Sequence, residues 1–329
     1  MSGSPIWITE EDVTSMVSLP QAIEALEQAL PLEAADKAQN MAKGHLMVAD
    51  NDAMHVLGSS VSGEGICGFK NWINVRGKSE TLVELFSMED GANLAVIEAT
   101  ALGQMRTAAM TGVGTKRLAH DNADEMGIVG SGKQALPQVA ACHAVRPLKK
   151  LKVFSRNPEN RDRFAEAARK EFNFEVTSCE TLQETVADVP IITIVTNATE
   201  PFLSADMLSK GSHLNAMGAI VPARIEFTDD VFDRADIIAV DNLATIKNMS
   251  AEFIKHYGQD NNAWLNVRTV SELIKENTER PPEADITLFK AMGMGLSDLA
   301  LAINIYKRAR SEGRGTTLPD RIKTPPRLQ

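Results

Sequence analysis

The chain has 329 residues, of which 43% are hydrophobic and 24% charged, and a formal net charge of −10. That balance fits a soluble globular protein of about two domains and argues against a nucleic-acid partner, whose phosphates call for a basic surface. No apolar run approaches the ~20 residues of a membrane span, MSGSPIWITEEDV lacks a secretion-leader pattern, and Cys67, Cys142 and Cys179 show neither disulfide nor zinc spacing, all of which points to the cytoplasm.

In chain order, IWIT at 6–9 predicts a short strand followed by a helix, and SLPQAIEALEQAL predicts a second helix starting at Ser18, with Pro20 in its first turn. Residues 44 to 98 are mostly strand-like: the runs GHLMVAD, AMHVLGSSV, ICGFKNWINV, TLVELFSM and ANLAVIEA are separated by turn signals, which predicts an antiparallel meander. The third run raises a question, because Lys70 stands between Phe69 and Trp72. Either the strand lies at a sheet edge and the amine reaches water, or the amine faces a cavity and does chemistry. ALGQMRTAAMTGVGTKRLA then reads as a helix.

From residue 126 the rhythm becomes strand, helix, strand: MGIVGSG, LKVFSRN, FEVTSC, IITIVTN, SHLNAMGA and IIAVDN are short apolar strands. That alternation is the mark of a parallel sheet covered by helices. A last helix, GLSDLALAINIYKRA, carries the chain back, and a basic stretch from Lys307 to Gln329 reads as a solvated tail. The expected fold class is α/β, with a Rossmann-type dinucleotide-binding domain over 116–302. A smaller α/β domain is expected over 1–115 with 303–329.

GIVGSGKQA at 127–135 fits G-x-G-x-x-A. Gly130 allows the tight turn, Gly132 lets the backbone approach a pyrophosphate, and Ala135 permits close helix packing. With Ser131, Lys133 and Gln134 they form a loop whose N–H groups, at a helix start, would hold phosphates. The next strand ends in Ser155, Arg156 and Asn157, where enzymes selecting NAD usually place an acid. Those side chains suit a 2′-phosphate, so NADP(H) is expected ahead of NAD(H). Thr196, Asn197 and Ala198 close a later strand at the carboxyl edge, beside the cofactor. His55 reads as a hydrogen-bonded core histidine, and no metal-ligand spacing is present among the histidines.

GQMRTAAMTG, GIVGSGKQA, VFSRNPEN, TNATEPFL, NAMGA and KAMGMGLSD, in this order within about 43–307, make the chain resemble the ornithine cyclodeaminase and mu-crystallin family. The resemblance implies that the smaller domain binds substrate and dimerises. It implies an activity among NADPH-dependent ketimine reductases, amino-acid dehydrogenases and cyclodeaminases. By position, Lys70 matches the family's active-site lysine, Arg106 its carboxylate-binding arginine and Thr107 a phosphate-side residue. Lys43 and His45 fall at the substrate mouth. Met217, Gly218, Met292 and Asp298 fall on the cofactor side, Asp298 at a helix start where it would equally serve as a cap. Ile220 stands where cyclodeaminases carry an aspartate, which favours reduction over cyclisation. The expected protein is a homodimeric NAD(P)H-dependent imine reductase or amino-acid dehydrogenase for a small 2-imino or 2-oxo acid, with Lys43, His45 and Arg106 suggesting a dicarboxylic one. The alternatives are an NAD-containing lyase (a cyclodeaminase or hydroxyproline dehydratase) and a crystallin-like NADPH-binding protein without turnover.

Overall fold

The computed structural model describes residues 3–49, 52–258 and 262–329. The N-terminal part opens with strand β1 (Ile6–Ile8), helices α1 (Glu10–Met16) and α2 (Leu19–Ala34), and strand β2 (Ala38–Asn40). Ser18 begins α2 through a reciprocal cap with Gln21, with Pro20 in the first turn, where a missing N–H costs nothing. The meander follows as β3 (Gly44–Ala49), β4 (Asp52–Val61), β5 (Ile66–Val75), β6 (Lys78–Ser87) and β7 (Asn93–Glu98), after which α3 (Thr100–Leu118) crosses behind it.

The parallel part comprises β8 (Glu125–Val129), α4 (Ala135–Val145), β9 (Lys150–Phe154), α5 (Pro158–Glu171), β10 (Glu175–Ser178), α6 (Leu182–Val186), β11 (Ile191–Ile194) and β12 (His213–Ala216). It continues with α7 (Asp230–Arg234), β13 (Ala235–Val240), α8 (Leu243–Met249), α9 (Ala251–Tyr257), β14 (Val267–Thr269), α10 (Val270–Lys275) and β15 (Ile286–Lys290). Helix α11 (Gly295–Glu312) and β16 (Thr316–Thr317) return the chain to the first sheet.

Among the described residues the strands form two eight-stranded sheets. The first runs β16-β1-β7-β6-β5-β4-β2, with β3 on β4; β1 pairs with β7 in parallel and the meander is antiparallel. The second runs β10-β9-β8-β11-β12-β15-β13-β14 and is parallel throughout, the doubly wound arrangement that binds ligands outside the carboxyl ends of its strands. Strand β15 is absent from the sequence reading: ITLFK is only five residues long and lies between two loops.

One core fills the space between the inner face of the first sheet and helices α2, α3 and α11; two others cover the faces of the second sheet. Helix α3 is buried continuously from Ala108 to Thr115, because it is walled by both domains. Helix α11 is continuous across residues 302–303, and its first residue, Gly295, already lies against the Gly58 backbone of β4.

Candidate active site

Strand β5 is not an edge. It lies between β4 and β6, and its two-residue period turns Ile66, Gly68 and Lys70 inward while Phe69 and Ile73 face out. Lys70 is 6% exposed, and its Nζ donates to Asp298 Oδ1 at 2.8 Å. Arg106 on α3 donates from Nε to the same oxygen at 2.9 Å. One carboxylate oxygen thus holds both cations. Burial and then the Arg106 guanidinium lower the Lys70 ammonium to about 8, against the raising influence of Asp298.

The family-based expectations for Lys43 and His45 acquire geometry from strand register. His45, His55 and Trp72 form one cross-strand row on β3, β4 and β5. The His55 ring stacks on Trp72 at 4.5 Å, and His45 lies 4.9 Å from His55. Lys70 Nζ sits 4.7 Å and Lys43 Nζ 5.9 Å from the Trp72 ring centre. The core-histidine reading of His55 is therefore corrected: its Nδ1 is buried without a hydrogen-bond partner among the described residues. Burial first, then Lys43, His45 and Lys70, push its pKa down to about 4. Lys43 is likewise lowered, by burial and by Arg106.

At the carboxyl ends of the parallel strands a cleft of ≈ 570 Å³ collects nine of the expected cofactor positions: Gly130, Ser131, Gly132, Ser155, Arg156, Asn157, Thr196, Asn197 and Ala198. Gly130 has φ +118°, and a methyl group there would meet the Val195 carbonyl at 2.4 Å, so only glycine fits. A side chain at Gly132 would meet nothing within 4 Å, which leaves that backbone open to a ligand. The Ser131 hydroxyl donates to Ser155 at 3.0 Å and ties the loop to the end of β9. The Asn157 side chain caps α5 by accepting from the Asn160 N–H, so its oxygen is engaged within the protein.

The remaining expected cofactor positions lie apart from this lining. Lys133 is exposed and Gln134 begins α4. Thr107 donates its hydroxyl to the Gly103 carbonyl within α3. Met217 and Met292 are buried, and Gly218 donates its N–H to Glu226. Asp298 is located with Lys70 and Arg106; α11 has no side-chain cap, because its N-cap is Met294.

Sequence reasoning missed the acids that hold these loops. Asp241 is fully buried at the end of β13 and accepts from the N–H groups of Asn242, Met292 and Gly293 at 2.7, 2.9 and 2.6 Å. Gly293 in turn abuts the Arg106 guanidinium. Asp241 N–H donates to the Lys290 carbonyl, and the buried Lys290 Nζ lies 3.6 Å from Glu252. Glu252 accepts from the Glu226 N–H. Alternating polarity finds strands and glycines find turns, but no local pattern marks a carboxylate whose partners come from distant loops.

A family model described as "Ornithine cyclodeaminase/mu-crystallin family" matches residues 5–313. The chain belongs to that family. It is 30% identical to the Δ1-pyrroline-2-carboxylate reductase of Bacillus cereus over 240 residues, covering 72% of this chain and 73% of the relative. It is 29% identical to the alanine dehydrogenase of Archaeoglobus fulgidus, covering 94% and 97%. Among solved structures, the Thermococcus litoralis Δ1-pyrroline-2-carboxylate reductase with NADH and L-proline superposes with a TM-score of 0.88 at 25% identity, covering 95% of this chain and all of the other.

Proposed function

We propose that the chain is an NAD(P)H-dependent oxidoreductase that interconverts small 2-imino acids and amino acids. The observation that carries this reading is the buried Lys70–Asp298–Arg106 constellation. Relatives named as imine reductases and an alanine dehydrogenase support it, as does the glycine cradle of the cleft, whose open backbone at Gly132 fits a pyrophosphate. When bound, the nicotinamide supplies or takes the hydride. Among the described residues the Arg106 Nη atoms meet no hydrogen-bond acceptor, which leaves a planar fork for the substrate carboxylate. Lys70 transfers the proton at the substrate nitrogen, and its lowered pKa suits exchange in both directions near neutrality. Asp298 fixes both side chains.

Ser155 and the exposed Arg156 favour NADP(H) over NAD(H), since no acid occupies the end of β9. Charge accounting points to a dicarboxylic substrate. Lys43, Lys70 and Arg106 face Asp298 and Asp241, whose fields reach Lys43. A protonated imino acid with one carboxylate is neutral and leaves that positive surplus standing; a second carboxylate near Lys43, His45 and His55 cancels it. The chain is read as a cytoplasmic homodimer. Its support is an alanine dehydrogenase neighbour solved as a dimer and an outer sheet face that exposes Leu46, Met54, Phe69 and Ile73.

The test supplies NADPH and then NADH with ammonia and oxaloacetate, glyoxylate, pyruvate or a cyclic ketimine, following nicotinamide absorbance. Oxidation fastest with NADPH and oxaloacetate is the expected result. Preference for a bulky, neutral imine would refute the second carboxylate. Ammonia release from amino acids without net cofactor oxidation would refute the reductase.

A further inference from the structure

We infer that Glu226 is a positioning residue that sets the cofactor-facing loop of β11 against the loop of β12. Glu226 is fully buried. Its Oε1 accepts from the Thr196 N–H at 2.7 Å and the Thr196 hydroxyl at 2.8 Å. Its Oε2 accepts from the N–H groups of Gly218 and Ala219 at 2.8 and 3.0 Å. Two oxygens thus face three backbone N–H donors and one hydroxyl, and every one of these N–H groups finds its acceptor on this single side chain.

The loops are close enough to need this staple. A methyl group on Gly218 would sit 2.2 Å from the Thr196 nitrogen, so the two backbones approach with no side chain between them. Thr196, Asn197 and Ala198 line the cleft, and the Thr196 hydroxyl passes the constraint on by accepting from the Ala198 N–H at 3.2 Å. The main chain of Glu226 is held as well, with its carbonyl accepting from Phe202 and Leu203 and its N–H donating to Glu252. The carboxylate is therefore fixed before any ligand arrives. It orders the two strand ends where a sheet of this kind meets its ligand.

This inference rests on the dinucleotide reading above. The test measures binding of NADPH and NADH by nicotinamide fluorescence, together with kcat, the KM of the oxo acid and the melting temperature. It compares the wild-type chain with Glu226→Gln, Thr196→Val and Thr196→Ser. Glu226→Gln replaces one acceptor oxygen by an amide NH2 that opposes at least one backbone N–H donor in either orientation, and its cofactor Kd is expected to rise and its kcat to fall about tenfold or more. Thr196→Val removes one donor and is expected to show a smaller shift in the same parameters; Thr196→Ser is expected to recover most of it. The KM of the oxo acid should change less than either, because Arg106 binds that group. If only the melting temperature fell, with Kd and kcat of the folded protein unchanged, Glu226 would be structural and the inference overturned. If Glu226→Gln failed to fold, equal kinetics in the two Thr196 variants would overturn it instead. Failure of the wild-type chain to bind either dinucleotide would remove the reading and this inference together.

Discussion

Replacing Lys70 by methionine keeps most of the side chain's bulk and removes its charge, and the structure says which effects compete. Lowering the ammonium from 10.5 to about 8 corresponds to roughly 3 kcal/mol against the charged form, at about 1.4 kcal/mol per pH unit. Methionine lifts that cost. That figure is already net of the attraction of Asp298 at 2.8 Å, which is among the influences that set it. Arg106 remains at 2.9 Å and keeps the carboxylate paired, so relief of the Lys70 cost compensates the lost partner and the variant folds with a melting temperature no lower than that of the wild type near pH 7. Turnover has no such compensation. Loss of a positioned acid–base group costs about 10²–10⁴-fold in rate. The pH dependence carries a sign. The folded pKa lies below the unfolded one, so the destabilisation from Lys70 is full below about pH 8 and disappears as pH rises toward 10.5. The wild type therefore gains stability on the variant across that window. In the reductive direction, where Lys70 donates the proton, the rate falls as pH passes about 8; in the oxidative direction it rises. Nicotinamide absorbance, cofactor fluorescence titration and melts at several pH values check these expectations. A Lys70→Met variant with near-normal kcat/KM and the same pH profile would refute the role.

Arg106→Lys keeps the charge but loses the fork, so kcat/KM for the oxo acid should drop roughly 10–100-fold through KM, measured by steady-state kinetics. Gly130→Ala drives a methyl group to 2.4 Å from the Val195 carbonyl and should abolish cofactor fluorescence enhancement while circular dichroism stays unchanged. Arg156→Ala should shrink the ratio of NADH to NADPH dissociation constants about tenfold, and an unchanged ratio would reject the 2′-phosphate assignment. His55, pushed down to about 4, should remain neutral near pH 6 in histidine NMR titrations; Lys43→Met should move its midpoint upward, because Lys43 is the largest charge influence on it.

The parts of this protein that were legible in the sequence are those encoded locally. The meander strands β3 to β7 follow from their apolar runs, with the turn signal at 50–51 lying outside the described residues, and the tight turn after β8 follows from Gly130, whose backbone demand is local. Lys70 illustrates the limit. An edge strand and a cavity are both compatible with ICGFKNWINV, and β4 and β6 on either side decide between them. His55 was misread for the same reason, since its stacking partner Trp72 comes from the neighbouring strand. Asp298 resembles a helix-start acid in GLSD, yet its partners lie 192 and 228 positions away along the chain.

The incompleteness of the charge network accounts for the lowered Lys70 pKa. A lysine with its own carboxylate would hold its proton far above neutrality, since an opposite charge favours the ionised form. Here Lys70 and Arg106 share one oxygen of Asp298, and the second oxygen is buried without a hydrogen-bond partner among the described residues. Neither cation is fully compensated, so burial and mutual repulsion prevail and Lys70 falls to about 8. Another acid in the site would reverse this balance. By the family resemblance, position 220, next to the Ala219 N–H that Glu226 holds, is where cyclodeaminases carry one. An exposed, uncharged isoleucine stands there. With no carboxylate at that position, the proposed reading has Lys70 supply the proton to the substrate nitrogen and the Arg106 fork hold its carboxylate, which is the division of labour that imine reduction needs.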